Sequence, residues 1–444
     1  MKDNRRYWLW LSQMAGAGSK VAVNLIREYG DAEAVYKASV KELEKSGIVP
    51  SKKLLSRLAY KDLSEIVGIL EWCDANGVKV IVPTDKDYPK SLLSLRDAPM
   101  ALYVLGELPD FDNTLCCAMV GTREMSEYGK NIAYDLGSGL ADCGACVVSG
   151  LALGIDGMAM AGAVEAGGKT VAVLGCGIDI VYPKQHERLL LKVLEKGAVI
   201  TEYAPGVSPN GHNFPVRNRI ISGISQAVCV VEGSIKSGSL ITARHAIYQG
   251  KALYAVPGRI GEKGSEATNY LLKEGALAVT DARDILSDFE FIYPHSLVLG
   301  GAVPHASSDE VAEKLQLGSK GVKLKKEKKE KEQEAPVKKK EKKEKKPKKG
   351  ESPFPKEEKP AKVRVDIDSL EETERRIFDY MKPDVPMLCE EIAEGGFELS
   401  QVMVSLTLLE IAGAVEAGAG GYYLKRAADF GGEPDYITEE DDGL

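Results

Sequence analysis

The side chains best placed to do chemistry in this chain are arginines and small hydroxyl residues that stand beside glycines. Gly121 and Thr122 precede Arg123; Ser149 and Gly150 close the run 145–150; Phe214, Arg217, Asn218 and Arg219 lie within FPVRNR at 214–219; Ser237, Gly238 and Ser239 follow Lys236. Arginine offers a planar fork of donors that matches phosphate oxygens. Glycine lets a ligand approach the backbone, and hydroxyls with free amides at a helix N-terminus complete an anion cradle. Such a set recognises phosphate, and no catalytic residue is assigned. Phe214 has two readings, a core side chain or a surface on which a base stacks. The chain has no GxxxxGK[ST] run and no GxGxxG followed by an acid at the right distance, so nothing supports ATP or NAD, and no cofactor is expected. Cys143 and Cys146 form one CxxC without a second, which reads as buried thiols, and no metal site is expected.

Five apolar runs must position these residues, at 115–120, 145–148, 170–174, 227–231 and 252–256, each followed directly or within two residues by glycine. One glycine turn reflects backbone need alone; in a parallel sheet, five strand ends fall on one edge, where open α/β sheets bind ligands. Ser126 reads as an N-cap, and Tyr128, Ile132, Ala133, Leu136 and Leu140 keep helical spacing after it. A second helix starts at Ile155, with Asp156 in the ordinary role of a first-turn acid facing the helix dipole. Pro215 suits the first position of a third helix. There Val216, Ile220, Ile221 and Ile224 define the buried arc, Arg217 falls within it and Arg219 lies nearly opposite. Two first-turn arginines oppose the dipole, a conflict that a bound phosphate would relieve.

The 444 residues suffice for several domains, and 44% hydrophobic content for a large core. A net charge of −8 argues against a generic nucleic-acid binder, but its distribution is uneven: residues 319–362 hold 19 Lys and 9 Glu, a local +10, leaving −18 elsewhere. With cysteines in apolar runs, no secretory leader pattern and no run long enough for a membrane span, the expectation is a cytoplasmic protein without membrane contact. Residues 1–76 read as a helical module with a glycine hairpin at 15–18, like helix-hairpin-helix and sterile-alpha-motif modules. Only Lys20 and Arg27 add charge near it, which favours packing or dimer contact over DNA binding. Residues 77–295 form the sheet domain, and 296–365 a Lys/Glu-rich disordered linker. Residues 366–426 read as three helices and a hairpin in winged-helix order; the third helix lacks Lys and Arg, which points to protein contact rather than groove reading. Residues 427–444 are an acidic tail with six acids between Glu433 and Asp442.

The motifs Gly121-Thr122-Arg123, SGLALGID at 149–156, TVAVLG at 170–175, FPVRNR at 214–219, SGSLIT at 237–242 and VPG at 256–258 resemble, in order, the DNA processing protein A (DprA, or Smf) family. The resemblance implies an α/β, extended Rossmann-like domain with a mostly parallel sheet. It also implies a homodimer that binds and protects single-stranded DNA and loads the RecA recombinase during natural transformation. It places Arg123, Ser149, Gly150, Phe214, Arg217, Asn218 and Arg219 in the strand-binding pocket. The alternative is a nucleotide-binding or nucleotide-hydrolysing enzyme of the phosphoribohydrolase type; its PGGxGTxxE loop would sit near Glu232 to Thr242, where the glycine pair and the closing glutamate are missing.

Overall fold

This computed structural model describes residues 4–298, 307–317 and, from 372 to 425, parts of a small unit interrupted at 383–386, 394, 398–400, 403–404, 407–408, 410–414 and 418–421. The chain divides into two compact units between residues 357 and 358.

In the larger unit nine strands form one sheet: β1 (Lys79–Ile81), β2 (Leu102–Gly106), β3 (Cys116–Val120), β4 (Cys146–Ser149), β5 (Thr170–Leu174), β6 (Ala198–Thr201), β7 (Ala227–Val230), β8 (Ala252–Ala255) and β9 (Leu277–Ala278). Their spatial order is β1-β2-β6-β5-β4-β3-β7-β8-β9. From β6 to β9 every neighbouring pair is parallel, whereas β2 runs antiparallel to both β1 and β6. The mostly parallel sheet expected from the glycine-ended runs is therefore present, with all five of those strands pointing the same way. Every residue of β3, β4, β5, β6 and β7 is buried, which explains why their sequences are unbroken apolar runs and not alternating ones. β3 lies between the strands that follow it in one direction and β7 in the other, so the winding reverses beside it. β6, which ends in no glycine turn, extends the parallel run towards β2.

The helices covering the sheet follow from residue size and capping. In Ile155–Glu165 nine residues from Ile155 to Ala163 are buried, and its alanines and glycines allow close approach of Glu127–Asp142. Ser126 caps that second helix by accepting from the Gly129 amide at 3.0 Å. N-terminal to the sheet, the helices Arg5–Ala15, Lys20–Tyr29, Ala32–Lys37, Val40–Lys45, Lys52–Ala59 and Ser64–Ala75 fill the region expected to be helical. The turn between the first two has Gly16 and Gly18 at positive φ, 87° and 70°. Trp8, Trp10, Leu25 and Ile26 from these helices belong to the same continuous apolar core as the sheet.

Part of the stretch expected to be linker is folded. The helix Ser308–Lys314 buries Val311, and Leu315 just after it, against the sheet unit. It is tied there by Lys314 to Glu165 at 3.0 Å and by a short ion pair between Asp309 and Lys130. The Lys/Glu tract at 319–362 and the acidic tail lie outside the described residues. In the smaller unit, Met387–Leu388, Val415–Ala417 and Tyr422–Lys425 form an antiparallel three-stranded sheet. Ile377, Phe378, Ile392, Val402 and Leu406 are among its core residues.

Candidate nucleic-acid interface

The site is built at the C-terminal ends of β3, β4 and β5. β4 ends at Ser149, whose hydroxyl donates to the Met119 carbonyl on β3 at 2.6 Å and so is committed to joining two strand ends. The chain then turns through Leu151, held at φ 55°, and Gly154, at φ 80°. A Cβ on Gly154 would stand 2.2 Å from the Thr122 carbonyl oxygen, so only glycine fits there. The Ile155 amide donates to that carbonyl at 3.1 Å, and the Gly150 amide donates to the Asp156 carboxylate at 3.0 Å. The Leu151 carbonyl accepts from Nδ1–H of buried His186 at 3.0 Å. Burial lowers the His186 pKa, which keeps the ring neutral and leaves that nitrogen as the donor.

Asp156 is therefore more than a first-turn acid. It is 6% exposed; burial raises its carboxyl pKa, while Arg217 and the Gly150 amide oppose the rise. Arg217 reaches the same point from the helix Asn213–Gly223, donating Nη1–H to the Gly150 carbonyl at 2.9 Å and more closely to the Val173 carbonyl. A Cβ on Gly150 would meet Arg217 Nη2 at 2.5 Å and Asp156 Oδ2 at 2.7 Å, so glycine is what lets guanidinium and carboxylate converge above it. Burial brings the Arg217 pKa down to about 10, against the pull of Asp156.

Over this floor lies a small, open cleft lined by Arg123, Gly150, Gly175, Tyr182, Phe214 and Arg217, among others. Phe214 is half-buried and stacks on Tyr182, ring centres 5.5 Å apart with 26° between planes. The guanidinium carbons of exposed Arg123 and of Arg217 lie 5.2 and 5.9 Å from the centre of the Phe214 ring. Cys176, also on the wall, donates to the Ile180 carbonyl at 3.6 Å, and burial pushes its thiol up to about 11, far from the range of a reactive thiolate. A cleft with two aromatic rings, two guanidinium groups and strand-end backbone can hold a flat base beside a phosphate.

The structure thus gathers Arg123, Gly150, Phe214 and Arg217 around one cleft. Gly121 and Thr122 form the turn that carries Arg123, with the Thr122 amide donating to the Glu232 carbonyl at 2.8 Å. Ser237, Gly238 and Ser239 lie at the adjoining strand end, after β7, where the Ser237 and Ser239 hydroxyls pair with each other at 2.8 Å. Asn218 connects the two places, its Nδ2–H reaching the Gly238 carbonyl at 3.4 Å. Arg219 departs from the expected placement. It is 1% exposed, ion-paired to buried Glu202 and 3.8 Å from Asp97, on the opposite side of its helix from the cleft. Two residues at about 100° each turn Arg219 through roughly 200° relative to Arg217, and carboxylates, not a phosphate, answer its charge. Tyr182, His186 and Glu202 carry no periodicity or motif that would have marked them. Asp156 had a signal, in that it closes the SGLALGID loop, but its dipole role was explanation enough.

Among the described residues no group of three or more His, Cys, Asp or Glu is arranged to hold a metal ion, and no helix is long and apolar enough to cross a membrane. Residues 79–290 match the family described as DNA recombination-mediator protein A. The chain is 41% identical over 207 residues to DNA processing protein DprA of Streptococcus pneumoniae, covering 73% of that protein and 47% of this one. The chain belongs to this family. The family's Escherichia coli member, Protein Smf, is 44% identical over 213 residues, which span 48% of this chain and 57% of the relative, little more than half its length. The X-ray structure of the Streptococcus pneumoniae family member superposes with a TM-score of 0.56 at 30% identity, covering 66% of this chain and all of that one.

Proposed function

We propose that this protein binds single-stranded DNA at the C-terminal edge of its parallel sheet and acts in DNA processing during natural transformation and recombination. The carrying observation is the cleft in which Phe214, backed by Tyr182, lies between the guanidinium groups of Arg123 and Arg217 at the ends of β3, β4 and β5. Stacking and charge together suit a base and its phosphate without selecting sequence. Membership of the DNA recombination-mediator protein A family supports the DNA-processing role and, by resemblance, loading of a RecA-type recombinase by a cytoplasmic homodimer. The N-terminal helices read as a sterile-alpha-motif-like contact module and the smaller unit as a winged helix used for protein contact.

A gel-shift comparison of single-stranded and double-stranded DNA of one sequence, with free nucleotides as competitors, tests the reading. Single strands bind more tightly, and mononucleotides compete weakly because each offers one phosphate instead of a run of them. Preferential duplex binding sinks the proposal, and turnover of nucleotides at enzyme-like rates favours the phosphoribohydrolase alternative.

A further inference from the structure

The arginine that faces away from the cleft occupies an unusual site. Arg219 and Glu202 are 1% and 6% exposed, and Glu202 follows directly on the end of β6. The guanidinium bonds Glu202 through Nη2 and lies 3.8 Å from Asp97 through Nε, while Nη1 has no hydrogen-bond partner. Its backbone carbonyl accepts from Gln249 Nε2 at 3.0 Å, tying the same turn to the next helix region.

The N-terminal hairpin covers this pair. The Gly18 amide donates to Glu202 Oε1 at 3.4 Å, and Gly18 holds φ 70°. A Cβ there would stand 3.0 Å from Val216 Cγ1 and 3.4 Å from Arg219 Nε, so the hairpin rests against the first turns of the helix that carries Phe214 and Arg217. One helix thus presents its cleft residues on one side and a buried ion pair, capped by a segment some 200 residues earlier, on the other. A buried pair is a poor source of stability but an exacting setter of geometry, because neither charge tolerates displacement from the other. Binding groups need a supporting shell of this kind to hold their placement.

We propose that Glu202, Arg219 and the Gly18 hairpin act as positioning residues for the single-strand cleft, so that docking of the N-terminal helices sets strand affinity through groups that touch no DNA. This rests on the single-strand reading above. In the full chain, Glu202→Gln and, separately, Gly18→Val are titrated against a fluorescein-labelled oligothymidylate at several salt concentrations, with hydrogen exchange of 213–223 measured on the free proteins. Each variant is expected to bind at least tenfold more weakly, with an unchanged slope of log affinity against log salt and faster exchange in 213–223.

An affinity within twofold of the unsubstituted chain in a folded variant overturns the proposal. So does a slope shallower by about 0.7, the mark of one lost phosphate contact. If Glu202→Gln does not fold, Gly18→Val alone decides. Should the unsubstituted chain bind no oligothymidylate, the single-strand reading fails by itself, and exchange in 213–223 of Gly18→Val still shows whether the hairpin sets the helix.

Discussion

Arg123 and Arg217 flank one phenyl ring but stand in opposite electrostatic situations. Arg123 is exposed, so Arg123→Ala should lower single-strand affinity and flatten its salt dependence by about 0.7 in log–log slope while leaving the melting temperature nearly unchanged. Arg217 is 4% exposed and holds the Gly150 and Val173 carbonyls beside Asp156. Arg217→Ala strands a buried carboxylate and two strand-end carbonyls, and should cost about 3–5 kcal/mol of folding stability. The helix dipole alone argues the other way, since removing an N-terminal cation relieves repulsion; thermal melts of the free protein decide between the two effects. For Phe214→Ala the half-buried ring predicts a loss of about 1–3 kcal/mol in single-strand affinity. Its stability cost should fall short of the roughly 3–5 kcal/mol of a fully buried phenylalanine, which melts and titrations on the same preparation check.

At the level of elements, the helix Ser239–Tyr248 carries a titrating group next to the positioning cluster. Burial, opposed by Asp97 and helped by Arg244 and Arg219, brings the His245 pKa down to about 4. A depressed histidine contributes stability that is fully present above its unfolded value near 6.5 and is lost as pH falls through the folded value. His186 acts with the same sign. Asp156 and Glu202, whose carboxyls are raised chiefly by burial, have the opposite sign and regain stability as the pH falls through their folded values. Melting temperature should therefore drop between pH 6.5 and 4, with His245 accounting for up to about 3 kcal/mol. His245→Gln should flatten that fall, and an unchanged pH profile would show that His245 charges as readily folded as unfolded.

For the whole molecule, the continuous core that joins the N-terminal helices to the sheet extends through Leu315. A chain ending at residue 317 keeps the helix Ser308–Lys314 and its ion pairs to Lys130 and Glu165, and should retain most single-strand affinity at moderate salt. Ending at 295 removes buried Leu297, Val311 and Leu315 from that core and should lower the melting temperature. A hundredfold loss of binding in the chain ending at 317, about 2.7 kcal/mol, would instead make the Lys-rich tract or the smaller unit a principal DNA contact.

The sheet and one side of its site were legible in the linear chain because their physics is local. Strands buried on both faces leave unbroken apolar runs, each turn at their ends demands a residue without a Cβ, and FPVRNR with SGLALGID names the family. Hence Arg123, Gly150, Phe214 and Arg217 could be grouped before any fold was seen. What tertiary structure decided depends on residues far apart in sequence. Arg219 repeats the chemistry of Arg217 two positions on, yet Glu202, Asp97 and Gly18 claim it, and nothing in the local sequence states that these lie beneath the same helix. Tyr182 enters the cleft from an irregular segment without periodicity, and β6 becomes a strand because β5 and β2 both offer it partners. Local sequence selects the element; which face of it meets a ligand is set by the charges and edges that folding brings alongside.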